Sequence, residues 1–142
     1  MANAITVEYG DWKTYQHECE RVRLMVFVAE QKVPRELEMD EHDAEAEHFV
    51  AFDGRRMVEG CARMLPDGHI GRVAVLRPFR GRGVGTAVMK AVIARAKEKG
   101  LASVYLGAQV HAVPFYEKLG FAVEGEPFTE AGIPHRRMRL TF

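Results

Sequence analysis

Apolar residues recur along the first quarter of the chain in two periods. Ile5 to Tyr9 alternates apolar and polar, the period of a short strand. Asp11 stands where a helix cap is wanted, and Tyr15, Cys19, Val22 and Val26 then recur at helical spacing, which predicts one buried stripe. Pro34 ends that region. Glu36 to Glu47 is so rich in acidic residues that a solvated loop or irregular helix is expected. Phe49 to Phe52, Met57 to Met64 and Ile70 to Leu76 read as three strands, joined by the turn signals Asp53-Gly54 and Pro66-Asp67-Gly68. Helical spacing resumes at Val84, Val88, Ala91 and Ile93, with Lys97 and Lys99 in the last turn and Gly100 as terminator. Val104 to Leu106 is a buried strand. A short helix follows, with Pro114 in its first turn and Gly120 just past its end. Met138 to Phe142 alternates again. The order is βα, three strands, then αβαβ, so an α/β fold is expected: a mixed, mostly antiparallel central sheet flanked by helices.

Length and composition narrow the class. A chain of 142 residues suits one domain, taken here as residues 1–142. With 47% hydrophobic and 28% charged residues it has the composition of an ordinary globular domain rather than a disordered one. A formal net charge of +0 argues against bulk capture of nucleic acid. Charge is uneven all the same: residues 30–48 are acidic and residues 72–99 are rich in Arg and Lys, so an anion can be recruited locally. No run is long enough to span a bilayer, so no membrane partner is expected. Nor does Met1 to Gly10 show a basic segment followed by an apolar one. Cys19 and Cys61 form no CxxC pair and are expected as reduced, buried thiols. Together these point to a cytoplasmic protein.

The most informative segment runs from Val73 to Thr86. A strand leads into Arg80-Gly81-Arg82-Gly83-Val84-Gly85, and a helix starts there. Amides at a helix start point outward unpaired, and the helix dipole adds positive potential. Glycine lets backbone approach a phosphate closely, and Arg80 and Arg82 add full charges. In physical terms this is a pyrophosphate cradle. It is not a P-loop, because Val84-Gly85-Thr86 stands where Lys-Ser/Thr is required. A dinucleotide fingerprint fails as well: its third glycine falls on Thr86 counted from Gly81 and Gly83, or on Val88 counted from Gly83 and Gly85.

Arg80, Gly83 and Gly85 fit the Arg/Gln-x-x-Gly-x-Gly/Ala pattern of acyl-CoA binding, and further blocks follow in the right order. Gln109 to Phe121, with Tyr116-x-x-x-Gly120-Phe121, resembles the late motif of the GNAT superfamily of N-acetyltransferases. Val26 to Pro34, Gly125 to Phe128 and Gly132 to His135 resemble segments of its small ElaA/YjcF-like branch. The resemblance covers nearly the whole chain. It implies the GNAT acyl-CoA N-acyltransferase fold, acetyl-CoA as cosubstrate and an amine acceptor. Dimerisation is common in the family, and nothing in the sequence decides it.

The resemblance also implies roles. The main chain of Val73, Ala74 and Val75 would bind the pantetheine arm, and one amide there would polarise the thioester carbonyl. Residues Arg80 to Thr86 would hold the pyrophosphate. Tyr116 matches the tyrosine that hydrogen-bonds or protonates the leaving sulfur, and Gln109 stands near the pantetheine where many relatives carry Asn. No general base is evident, since Gly71 and Arg72 occupy the place where some relatives carry Glu. His111 and His135 are the leading candidates, with Glu30 and the His42/His48 pair behind them, because histidine titrates in the useful range. His42-Asp43 and Glu47-His48 match no metal-ligand spacing, so no metal is expected. Should the acidic loop face the substrate entrance, Glu38, Asp40 and Glu41 would favour a cationic amine. Trp12, Phe27 and Phe121 are read as core aromatics, with Phe115 packing under Tyr116. A non-catalytic acyl-CoA binding module is the alternative reading: it would share the cradle and would have no need of Tyr116.

Overall fold

In the computed structural model, which describes residues 4–142, a seven-stranded sheet runs in the order β1-β2-β3-β4-β5-β7-β6. Strand β1 (Thr6–Gly10) pairs antiparallel with β2 (Glu47–Phe52), which pairs with β3 (Val58–Met64), which pairs with β4 (His69–Val75). Beyond β4 lie β5 (Ser103–Gln109), β7 (Ile133–Thr141) and β6 (Ala122–Glu130). The β4–β5 pair is the one parallel step, and it is short. Its partners are His69 with Tyr105 and Ile70 with Leu106; past them the two strands part.

Two cores form because the sheet is covered on both faces. Helix α1 (Trp12–Arg23) starts at Asp11, whose side chain accepts a hydrogen bond from the Thr14 amide at 2.9 Å, as the cap signal predicts. Its buried stripe, Cys19 and Val22, continues to Val26 in a π-helical segment, Leu24–Glu30, and packs on Val50, Cys61 and Ala74. Helix α3 (Val84–Glu98) covers the opposite face with Val88, Met89 and Val92 against Phe49, Met64 and Leu106. Helix α4 (Val113–Lys118) follows β5 after a short turn and adds Tyr116, while Phe121 just beyond it joins the same core. Trp12 and Phe27 pack on the first core as half-buried residues.

Two expectations need correction. The C-terminal region holds two strands where the pattern showed one. Strand β6 is almost wholly exposed as the sheet's edge, so it lacks the alternation that marks a half-buried strand, and β7 begins at Ile133, well before Met138. The acidic stretch is not a solvated loop either. It folds as a short α2 (Arg35–Glu38) and a 3-10 turn (Glu41–Ala44), and it buries Glu38 and Asp43. Three arginines meet these acids. Arg23, 1% exposed, bonds Glu38 at 3.1 Å and Asp43 at 2.9 Å. Arg63 bonds Asp40 at 2.6 Å and Asp43 at 2.9 Å, and Arg72 reaches Glu38 at 2.9 Å and Asp40 at 3.0 Å. Burial by itself would raise the Asp40 carboxyl, but Arg63 and Arg72 outweigh it and bring the pKa down to about 2. Burial wins at Glu38, whose carboxyl is raised despite Arg72 and Arg23.

Candidate active site

The parting of β4 from β5 opens a cleft of about 1330 Å³. Strand β4 lines one side through Val73, Ala74 and Val75, and β5 lines the other through Gly107 and Gln109. A bulge helps aim β4: the register slips between Cys61 and Arg63, and Arg72 sits at φ 53° opposite the slip. Ala74 is buried in one core and Val73 and Val75 pack half-buried on the other, so the polar groups that the three can offer the cleft are those of the backbone. The Val75 carbonyl faces it, since it accepts a hydrogen bond from Arg80 Nε at 2.9 Å.

The glycine loop closes one end of this cleft. Gly83 caps α3 in the left-handed conformation, φ 84°, which a side chain would strain; a Cβ there would meet nothing within 4 Å, so the space in front of it is open. The amides of Val84, Gly85 and Thr86, in the first turn of α3, find no backbone acceptor among the described residues. They are free donors at the positive end of a fifteen-residue helix. Gly85 has a second reason to be small, because a Cβ would lie 3.3 Å from the Phe115 ring. Arg80 and Gly81 line the cleft as expected. Arg82 is exposed and lies outside the lining.

Tyr116 is buried, with Phe115 edge-on at 5.0 Å and Phe121 at 5.9 Å, yet it lines the cleft. Its hydroxyl has no hydrogen-bond partner among the described residues and is not sealed from the cleft. Burial raises its pKa, which keeps the phenol protonated well into the alkaline range. Gln109, half-buried at the end of β5, exchanges two hydrogen bonds with Gln31, at 3.1 and 2.7 Å.

The proposed bases separate clearly. His135 is 6% exposed on β7, stacks on Phe128 at 5.4 Å, and still lines the cleft. Its Nδ1 lies 2.7 Å from the Ile133 carbonyl. A carbonyl only accepts, so Nδ1 carries the hydrogen and the neutral ring keeps its lone pair on Nε2, 3.8 Å from Glu130. His111 lines the cleft from the exposed turn after β5. His48 is fully buried outside the lining, bonded to the Asp43 carbonyl at 2.8 Å and packed against Trp12, so its role is structural. His42 lines the cleft but is paired with Glu45 at 2.8 Å. The Arg80 hydrogen bond lowers the Glu30 carboxyl pKa, which makes it a poor base at neutral pH. Glu38 and Asp40 do line the cleft, but their arginine partners neutralise them, so they are not the free carboxylates that would draw a cation. Sequence reading missed the engagement of Glu30 and Gln31 with Arg80 and Gln109. Both lie inside the Val26 to Pro34 block, the one signal that could have found them.

The Acetyltransferase (GNAT) domain family matches residues 14–142. The chain belongs to this family. Among GNAT relatives, the uncharacterized N-acetyltransferase YjcF of Bacillus subtilis (strain 168) is 44% identical over 120 residues, covering 82% of this chain and 86% of YjcF. The crystal structure of Escherichia coli ElaA superposes with a TM-score of 0.85 at 28% identity, covering 96% of this chain and 99% of ElaA. An acyl-CoA N-acyltransferase from Pseudomonas aeruginosa superposes with the same TM-score and identity, covering 97% and 100%. The GNAT fold is thus shared over the whole described chain. Among the described residues no group of His, Cys, Asp and Glu is arranged to hold a metal, and no helix is long and apolar enough to cross a membrane.

Proposed function

We propose that this protein transfers an acetyl group from acetyl-CoA to a primary amine of a small molecule or peptide, by direct attack of the amine on the thioester. One observation carries the reading: free helix-start amides, an outward Val75 carbonyl and an unpartnered Tyr116 hydroxyl line one cleft between parted strands. The residues present fit the cosubstrate. The donors at Val84 to Thr86 and the Arg80 guanidinium suit a pyrophosphate, and the backbone of Val73 to Val75 suits the amides of a pantetheine arm. The bound cosubstrate would supply an activated acetyl thioester.

The remaining chemistry falls to the chain. A main-chain amide of Val73 to Val75 donates to the thioester oxygen as negative charge develops there. The Tyr116 hydroxyl, which burial keeps protonated, hydrogen-bonds the leaving sulfur or gives it a proton as the thiolate departs. The His135 Nε2 lone pair takes the proton from the amine, with Nδ1 held in register by Ile133. His111, at the exposed end, contacts substrate.

The test has two stages. Calorimetric titration with acetyl-CoA, with NAD as control, should show binding of the first alone. An amine panel read by thiol release should then show turnover that His135→Gln reduces. Binding of acetyl-CoA without turnover on any amine would favour the non-catalytic module. Absence of binding would overturn the cofactor assignment.

A further inference from the structure

Two side chains that the cofactor reading uses, Arg80 and Gln109, are already engaged in the free protein, and one dipeptide engages both. Arg80 donates to both oxygens of Glu30, at 3.0 and 2.8 Å, through Nη1 and Nη2, while its Nε caps the Val75 carbonyl at 2.9 Å. Arg77 lies 3.7 Å from the same carboxylate. The neighbouring Gln31 locks both ends of the Gln109 amide. These links span 50 residues of sequence in one case and 78 in the other, so they are tertiary contacts. Gln31, Gln109 and Arg80 line the cleft, and Glu30 meets it through Arg80. The backbone carrying them is unusual. Glu30 ends the π-helical segment, and Lys32, just beyond Gln31, sits at φ 64°, a conformation a lysine rarely adopts.

From this arrangement we infer that Glu30 and Gln31 act as internal ligands of the acyl-CoA site, Glu30 standing in for the pyrophosphate at Arg80 and Gln31 for the pantetheine amide at Gln109, so that cofactor binding displaces them. The inference rests on the cofactor reading above. Glu30 is anionic at neutral pH and half-shielded from water, with 26% of its side chain exposed, so it competes with a phosphate for the same guanidinium fork. Arg80 Nε uses one lone pair of the Val75 carbonyl and leaves a second for a pantetheine amide. Displacement of Glu30 frees the Nη1 and Nη2 donors of Arg80 for the pyrophosphate. Between turnovers, the same internal ligands keep the polar groups of the open cleft satisfied.

The distinguishing measurement is acetyl-CoA affinity by calorimetry in wild type, Glu30→Gln, Arg80→Ala and the double variant, with thermal melting as the check on folding. Glu30→Gln keeps the shape and removes the competing charge. It should tighten acetyl-CoA binding about two- to fivefold, the range for a partly exposed ion pair, and lower the acetyl-CoA KM while kcat is retained. In the Arg80→Ala background the same substitution should have no effect. Weaker or unchanged binding in a folded Glu30→Gln protein would overturn the inference, because Glu30 would then orient Arg80 in the complex or stand apart from it. If wild type itself fails to bind, the cofactor reading falls first and takes the inference with it.

Discussion

Two arginine clusters lie on either side of the β4 bulge, and they do opposite things. Arg23, Arg63 and Arg72 face three carboxylates, Glu38, Asp40 and Asp43, in a buried and neutral network. Arg77, Arg80 and Arg82 sit on the exposed loop before α3, where Glu30 pairs with Arg80 at 2.8 Å and lies 3.7 Å from Arg77, and Arg82 has no ion pair among the described residues. Compensated and buried charge fixes structure: it pins the acidic segment against β3 and β4 and so builds one wall of the cleft. Under-compensated and exposed charge, beside free helix-start amides, is available to an anion. The contrast separates arginines that hold the cleft's shape from Arg80, which lines the cleft and which we propose meets the ligand.

Variants can break this contrast at either end. The largest stability effect is expected from Arg23→Leu, which removes the most buried cation of the network and leaves Glu38 with one arginine, Arg72, and Asp43 with one, Arg63; chemical denaturation should show a loss of about 3 kcal/mol. Tyr116→Phe should leave melting nearly unchanged and reduce kcat about 100-fold, with acetyl-CoA affinity retained. Gly83→Val should cost acetyl-CoA affinity about tenfold or more while circular dichroism stays native, because the added carbons fill the open space before the amides. Arg80→Ala should weaken acetyl-CoA binding about tenfold with little change in stability, the reverse of Arg23→Leu.

The smallest effect is a pH dependence. The folded pKa of Asp40 is depressed to about 2 from an ordinary 3.8, so its ion pairs contribute stability above 3.8 that is lost as pH falls toward 2. Asp43 is shifted the same way, whereas Glu38, raised by burial, opposes them. Urea unfolding measured from pH 5 to pH 2 should show a shallower decline for Asp40→Asn than for wild type.

Much of the site was legible because its signals are local. Arg80 to Thr86, Gln109 and Tyr116 sit in short blocks whose glycines, turn and helix start are set by neighbours in the sequence, and the structure brings them to one cleft with His111 and His135. Arg82 is the exception, since it is exposed and not among the residues that line that cleft. The acidic segment was misread because its partners are distant: Arg23 lies 15 and 20 residues from Glu38 and Asp43, and Arg72 lies 32 from Asp40. Composition sees only charge and infers solvation, while burial depends on what the fold brings opposite. The edge strand β6 was missed for a related reason, since a strand exposed along its length carries no alternating pattern to read.

The sequence by itself therefore determined the order of elements through α4 outside the acidic segment, the cap at Asp11, the anion-ready loop and the tyrosine, all of which follow from the identity and spacing of near neighbours. Tertiary structure alone decided which histidine keeps a lone pair in the cleft, which carboxylates are free, and what occupies Arg80 and Gln109 before a ligand arrives. Those are questions of who faces whom across a folded interior. Hydrogen-bond partners, and the desolvation that sets their strength, exist only once the chain has closed on itself.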